Sequence, residues 1–258
     1  MKYTLLTGAS SGIGYELSKI LASHHHNLIL VARSSDKLDQ LKSELPSDID
    51  VIVYPLDLTD EDKTDAFFCW LDDGDYQIDL LVNNAGRGLL SDYLESDYED
   101  QASMVRLNIL SLMKLSHHVG NMMKKQGQGT ILNISSIAAY TSGPYMSVYY
   151  ASKAFVTSFS EGLAEELKPY NIKVKVVAPG PTSTGFEKQA HMENSKAFKL
   201  FAPASAYDVA LFAYNALDKK RIVHNYGLGV KASNFFCRLL PRIVPRLFIR
   251  RLNQNRKD

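Results

Sequence analysis

Tyr149 and Lys153 stand four residues apart in a stretch with helical patterning, so a phenol and an ammonium share one helix face. Tyr15 and Lys19 repeat that interval, so spacing alone decides nothing. Context separates the two pairs. Thirteen residues before Tyr149 is Ser136, just past an apolar run, whereas thirteen before Tyr15 is Lys2, inside one. Residues 7–14, Thr-Gly-Ala-Ser-Ser-Gly-Ile-Gly, are the second chemical feature. They follow a short apolar run (Tyr3 to Leu6) and precede a helical pattern (Tyr15, Leu17, Ile20, Leu21). Strand, glycine loop and helix are what a dinucleotide pyrophosphate requires. Gly8 permits the tight turn, Gly12 lets backbone approach the phosphates, and Gly14 lets the helix sit close to the sheet. Ser10, Ser11 and Ile13 complete the loop, and the N–H groups and positive dipole end of the helix face the anion.

These groups need a scaffold, and the chain spells one. Apolar runs at Asn27–Ala32, Val51–Leu56, Leu80–Val82, Gly129–Asn133 and Lys173–Ala178 read as strands two to six. Helical patterns fall between them, around Leu38–Leu45, Ala66–Leu71, Glu99–Lys124 and Tyr149–Leu167. The strand runs are continuous Val/Ile/Leu rather than alternating, as when helices cover both faces. Repeated β-α alternation predicts an α/β fold, a doubly wound parallel sheet of Rossmann type, as a single domain.

Ligands in such sheets bind beyond the carboxyl ends of the strands. After strand two come Ala32 and Arg33, with no acid before Asp36, which favours a ribose 2′-phosphate and therefore NADP(H) over NAD(H). A solvated charge at a strand end is the alternative for Arg33. After strand three, Asp57 and Leu58 are placed to meet the adenine, and Asp57 can also cap the next helix. After strand four, Asn83, Asn84, Ala85 and Gly86 are small enough for backbone to pass close to the adenosine.

Thr7–Gly14, Asn83–Gly86, Asn108, Ser136, Tyr149-x-x-x-Lys153 and Pro179-Gly180 occur in an order and spacing that resembles the classical short-chain dehydrogenase/reductase family, across roughly residues 3 to 184. The resemblance implies a catalytic tetrad of Asn108, Ser136, Tyr149 and Lys153. It implies an oxidoreductase exchanging hydride between NADP(H) and a carbonyl or secondary alcohol. A phenol with pKa near 10 is a poor shuttle at neutral pH, and a nearby ammonium favours the phenolate. Tyr149 would then protonate the carbonyl oxygen and Ser136 would hydrogen-bond it. Lys153 would also hold the nicotinamide ribose, and Asn108 a water linking Lys153 to solvent. Pro179, Gly180, Thr184 and less surely Thr182 would meet the carboxamide. A homodimer or homotetramer built on the long helices near Asn108 and Tyr149 is implied as well. The competing reading is a sensor or scaffold that binds NADP(H) without turnover; another is a lipid-binding carrier.

Composition bounds the remainder. The chain has 258 residues and net charge +1, so nucleic acid is not an expected partner. No signal peptide or membrane-length apolar run is visible, and the expectation is a cytoplasmic protein. Cys69 and Cys237 have no metal or disulfide spacing and are expected as buried thiols of a reducing compartment. His24-His25-His26 is read as a solvated turn, with Asn27 as the left-handed cap. Phe186–Phe201, within a substrate lid at about 185–204, looks helical. The main domain is placed at 1–230 and a basic amphipathic extension at 231–258, which carries eight basic residues and one acid. There Arg238, Arg242, Arg246 and Arg250 recur every four residues with apolar pairs between them. Pro241 and Pro245 break this segment into two short helices. It fits an anionic membrane surface, a cover for the substrate mouth or a subunit contact, and the first of these would make the carbonyl substrate lipid-like.

Overall fold

The apolar runs become the strands of one sheet in the computed structural model, which describes residues 1–74, 76–192 and 203–254. The strands are β1 Lys2–Thr7, β2 Asn27–Ala32, β3 Val51–Pro55, β4 Gln77–Asn83, β5 Gly129–Ile134 and β6 Ile172–Ala178. With Val223–Asn225 they form a seven-stranded sheet in which β1 lies between β2 and β4, and every pairing is parallel. Helices α1 Gly12–Ser23 and α2 Ser35–Glu44 cover one face, together with Ala206–Ala216. Helices α3 Glu61–Asp73, α5 Leu112–Gln126 and α6 Ser147–Leu167 cover the other.

Successive strand residues point to opposite faces, and the core divides accordingly. Leu6, Leu28 and Leu30 pack with Leu17, Leu21, Leu38 and Leu41. Leu5, Ile29 and Val31 pack instead with Phe67, Leu71, Leu115 and Val119. Each fully buried side chain of this kind contributes about 1.5–3 kcal/mol. Both layers therefore hold the strand ends, and the loops that follow them, at fixed places.

The long helix expected at Glu99–Lys124 is present but not uniform. It runs as α4 Tyr98–Val105, a π-helical turn Arg106–Ser111, and then α5. Wide turns of this type occur mostly at functional sites, and this one contains Asn108. The Ser111 hydroxyl lies 2.9 Å from the Arg106 carbonyl and 2.6 Å from that of Leu58, fixing the widened turn against the loop after β3.

Four details differ from expectation. The left-handed residue after α1 is His25 (φ 59), while Asn27 opens β2 and bonds Asp50 N and Lys2 O through its amide. His26 turns inward to Thr4, so the triple is a turn with one buried edge; among the described residues no His, Cys, Asp and Glu cluster suits a metal. Cys69 is exposed, because α3 buries Thr64, Phe67, Phe68 and Leu71 on the opposite face; Cys237 is partly exposed. At the C-terminus only Pro241 breaks the helix. The two helices are Leu228–Leu239 and Ile243–Asn253, and Pro245 sits in the first turn of the second, where its missing N–H has no intrahelical partner to lose. The first begins three residues before the boundary expected at Lys231 and buries Val230.

Candidate active site

The glycine loop closes over the C-terminal ends of the central strands. Gly12 is left-handed (φ +56), and a Cβ there would lie 2.7 Å from the Thr184 Cβ. Gly14 is buried rather than exposed to the cleft: a Cβ on it would lie 2.3 Å from the Gly8 carbonyl oxygen. Gly14 thus acts by letting α1 approach β1. Asn84 clamps the loop from the neighbouring strand, donating to the Thr7 carbonyl at 3.0 Å and the Gly8 carbonyl at 3.1 Å. Thr7 Oγ1 accepts from the N–H groups of Asn84 and Ala85, both at 3.1 Å. Neither Thr7 nor Asn84 was singled out as a site residue; a polar pair at adjacent strand ends was the available signal.

A cavity of about 710 Å³ opens at this edge. Gly8, Ser10, Ser11, Gly12 and Ile13 line it, as do Arg33, Asp57, Leu58, Ala85, Gly86, Pro179, Gly180, Thr182 and Thr184. Asp57 Oδ1 accepts from Thr59 N and Oγ1, and the cap of α3 is Asp60, so Asp57 is not the helix cap. Asn83 does not line the cavity. Its side chain is buried and donates to Ser116 Oγ (3.0 Å) and Asn133 Oδ1 (2.9 Å), because it is the last residue of β4 and points to the α5 side. Thr182 Oγ1 donates to the Gly180 carbonyl, and Thr184 Oγ1 accepts from Phe186 N.

Ser136, Tyr149 and Lys153 line the same cavity. Ser135, the neighbouring hydroxyl, is turned away: it donates to the Lys153 carbonyl at 3.1 Å and pairs with Thr157 at 2.7 Å. Ser136 accepts from Ala138 N and hydrogen-bonds the Tyr149 phenol. Burial beside Tyr150 and Phe186 pushes the Tyr149 phenol up to about 12, against the pull of Ser136. The sequence expectation was a lowered phenol, so desolvation outweighs the ammonium here. Lys153 is itself pushed down to about 8 by burial. Its Nζ donates to the Ile134 carbonyl at 2.9 Å and lies 5.9 Å from the Tyr149 ring centre.

Asn108 is buried behind this group and does not face the cavity. Its Oδ1 accepts from Arg87 N at 2.9 Å, and its Nδ2 donates to Arg87 O at 2.9 Å and Ser152 Oγ at 3.0 Å. A Cβ on Gly86 would lie 3.3 Å from Asn108 Oδ1 and 3.4 Å from Lys153 Nζ. Asn108 therefore ties the strand-four loop to α6 one residue before Lys153.

The chain matches the family model described as short chain dehydrogenase over residues 2–195. It belongs to the short-chain dehydrogenase family. It is 34% identical over 217 residues to serine 3-dehydrogenase of Agrobacterium fabrum, covering 81% of this chain and 85% of the relative. It is 31% identical over 252 residues to mouse 17-beta-hydroxysteroid dehydrogenase type 3, covering 96% and 78%. Among solved structures it resembles a short-chain dehydrogenase from Sphingobium yanoikuyae in complex with NADPH, with TM-score 0.83, 32% identity and 90% of each chain covered.

A nicotinamide dinucleotide fits the residues present. The N-terminus of α1 has no side-chain cap among the described residues and no acid in its first turn, which leaves its N–H groups for an anion. The glycine cradle would be filled by any added Cβ. Around the substrate end, sequence reasoning missed Met146, Tyr150, Phe186, Met192, Ile249, Leu252 and Asn253, which come from separate segments and share only their apolarity. Of the expected lid, Phe186–Gln189 is helical, and Thr182–Ser183 pairs with Ala204–Ser205 to clip its base; residues 193–202 lie outside the described residues.

Proposed function

We propose that the chain is an NADP(H)-dependent oxidoreductase that interconverts a carbonyl and a secondary alcohol, with Tyr149 as general acid and base. The observation carrying this reading is that Ser136, Tyr149 and Lys153 converge on the wall of the cavity that also holds the glycine loop and Arg33. The cofactor, when bound, supplies or accepts the hydride. In reduction, Tyr149 donates its proton to the carbonyl oxygen; a phenol held near 12 is fully protonated at neutral pH, ready for that direction. Ser136, paired with the same phenol, hydrogen-bonds the oxygen as charge develops on it. Lys153 stabilises the phenolate left behind, and its buried ammonium also meets ribose hydroxyls. Asn108 positions Lys153 through Ser152.

Arg33 reads the 2′-phosphate. It is exposed at the cavity rim and makes no ion pair among the described residues, so its guanidinium is available to an anion. The apolar substrate end supports a bulky, lipid-like carbonyl, in keeping with the similarity to a hydroxysteroid dehydrogenase. A sensor without turnover is the weaker reading, since it gives no reason to bury Lys153 at a cost. Self-association uses the exposed side of the long helices, where Leu110 and Met113 face solvent and Phe155 stacks on Phe159. Free Cys69 and Cys237 suit a reducing cytoplasmic setting.

NADPH oxidation measured with a panel of apolar and small polar carbonyls tests this. Tyr149→Phe is expected to lose about 10²–10⁴-fold in kcat with unchanged NADPH affinity. Equal turnover in both proteins rejects Tyr149 as the acid.

A further inference from the structure

We infer that the two C-terminal helices form a docking face for an anionic lipid bilayer. A surface helix in water needs one apolar face, the one it buries. Ile243–Asn253 has two. At 3.6 residues per turn, Ile249, Leu252 and Asn253 fall on one side and line the cavity, with Asn253 Nδ2 donating to the Pro144 carbonyl at 3.0 Å. Ile243, Val244, Leu247 and Phe248 fall on the other side, each about half exposed. The preceding helix repeats the pattern: Leu228 (83% exposed), Phe235 (60%), Phe236 (54%) and Leu239 (65%) face solvent along one stripe. Exposed apolar surface on this scale marks an interaction site.

Charge selects the occupant. Between Leu228 and Gln254 there are Lys231, Arg238, Arg242, Arg246, Arg250 and Arg251 and no Asp or Glu. All six are exposed, and none forms an ion pair among the described residues. A second copy of this chain docked on the same face would bring cation against cation, since a two-fold contact meets itself. An anionic bilayer satisfies both halves of the surface: lipid headgroups meet the arginines, while Phe and Leu enter the acyl boundary. Among the described residues no helix is long and apolar enough to cross a membrane, so the chain lies on the surface. Because the docking helix also supplies Ile249 and Leu252 to the cavity, an apolar substrate can reach the site from the bilayer.

Flotation of the full chain with phosphatidylcholine/phosphatidylserine vesicles tests this, with pure phosphatidylcholine vesicles as the control. Wild type is expected to float with the anionic vesicles and to be released by high salt. Leu247→Glu/Phe248→Glu is expected to stay unbound while its melting temperature and circular dichroism match wild type. Neutralising Arg242, Arg246 and Arg250 to Gln weakens binding about fivefold per residue. Failure of wild type to float, or flotation of the Leu247→Glu/Phe248→Glu protein with it, overturns the proposal. So does a dimer in sedimentation that this double substitution abolishes while wild type ignores vesicles; that result assigns the face to a second copy.

Discussion

The two ends of the cavity are built by different means. At the cofactor end the walls are backbone: the glycine loop, the Asn84 clamp and the Pro179-Gly180 turn, each held by hydrogen bonds between neighbouring strand ends. At the substrate end the walls are side chains of Met146, Phe186, Met192, Ile249 and Leu252, packed by volume, with Asn253 as a polar tie. One end recognises a fixed ligand by geometry. The other recognises a class of ligand by size and apolarity, and substitutions there exchange one substrate for another instead of abolishing binding.

That contrast can be broken or sharpened. The largest effect is expected at Lys153, which stands where the ends meet. Its native pKa, about 8, lies below the roughly 10.4 of an unfolded lysine. Between those values the unfolded chain holds more protons, so stability rises with pH across that window; below it, wild type carries the full burial cost. Lys153→Met should remove this slope and raise stability at pH 7 by up to about 3 kcal/mol, read from thermal melts at pH 7 to 10. Parallel curves for the two proteins would contradict the burial argument. Next comes Gly14→Ala, whose methyl collides with the Gly8 carbonyl. Overpacking of about 1–3 kcal/mol should cost roughly 10- to 100-fold in NADPH affinity by calorimetry. Arg33→Ala should raise the NADPH Kd about tenfold and leave NADH unchanged; an equal change for both removes Arg33 from phosphate recognition. Phe186→Leu is the mildest, with a two- to fivefold change in KM for bulky carbonyls and none in cofactor affinity, on the order of 1 kcal/mol. A cofactor effect there would erase the distinction between the ends.

The sequence made the backbone-built end readable and left the other obscure. Asn27–Ala32 was expected at its observed limits because a long buried run permits no other reading. Val223–Asn225 went unseen: three half-buried residues carry no period, and the strand exists only because β6 offers an edge. The thirteen-residue offset singled out Ser136 over Ser135, and the hydrogen bonds of Ser135 explain why the two differ. Asn83 and Asn84 were indistinguishable by type, since strand register alone decides which of two adjacent amides faces the core. Position 25 shows the limit of residue preference: Asn is the usual left-handed residue, yet the turn places His25 there.

The π turn at Arg106–Ser111 carries one more residue than an α-helix of the same rise. Deleting any residue from it would relax the coil to ordinary winding and swing all of α5 by about 100°. Leu115, Val119 and Met123 would then leave the sheet while polar positions rotated in. Single-residue deletions there are therefore expected to abolish folding, even though each leaves Asn108, or a near neighbour, in place.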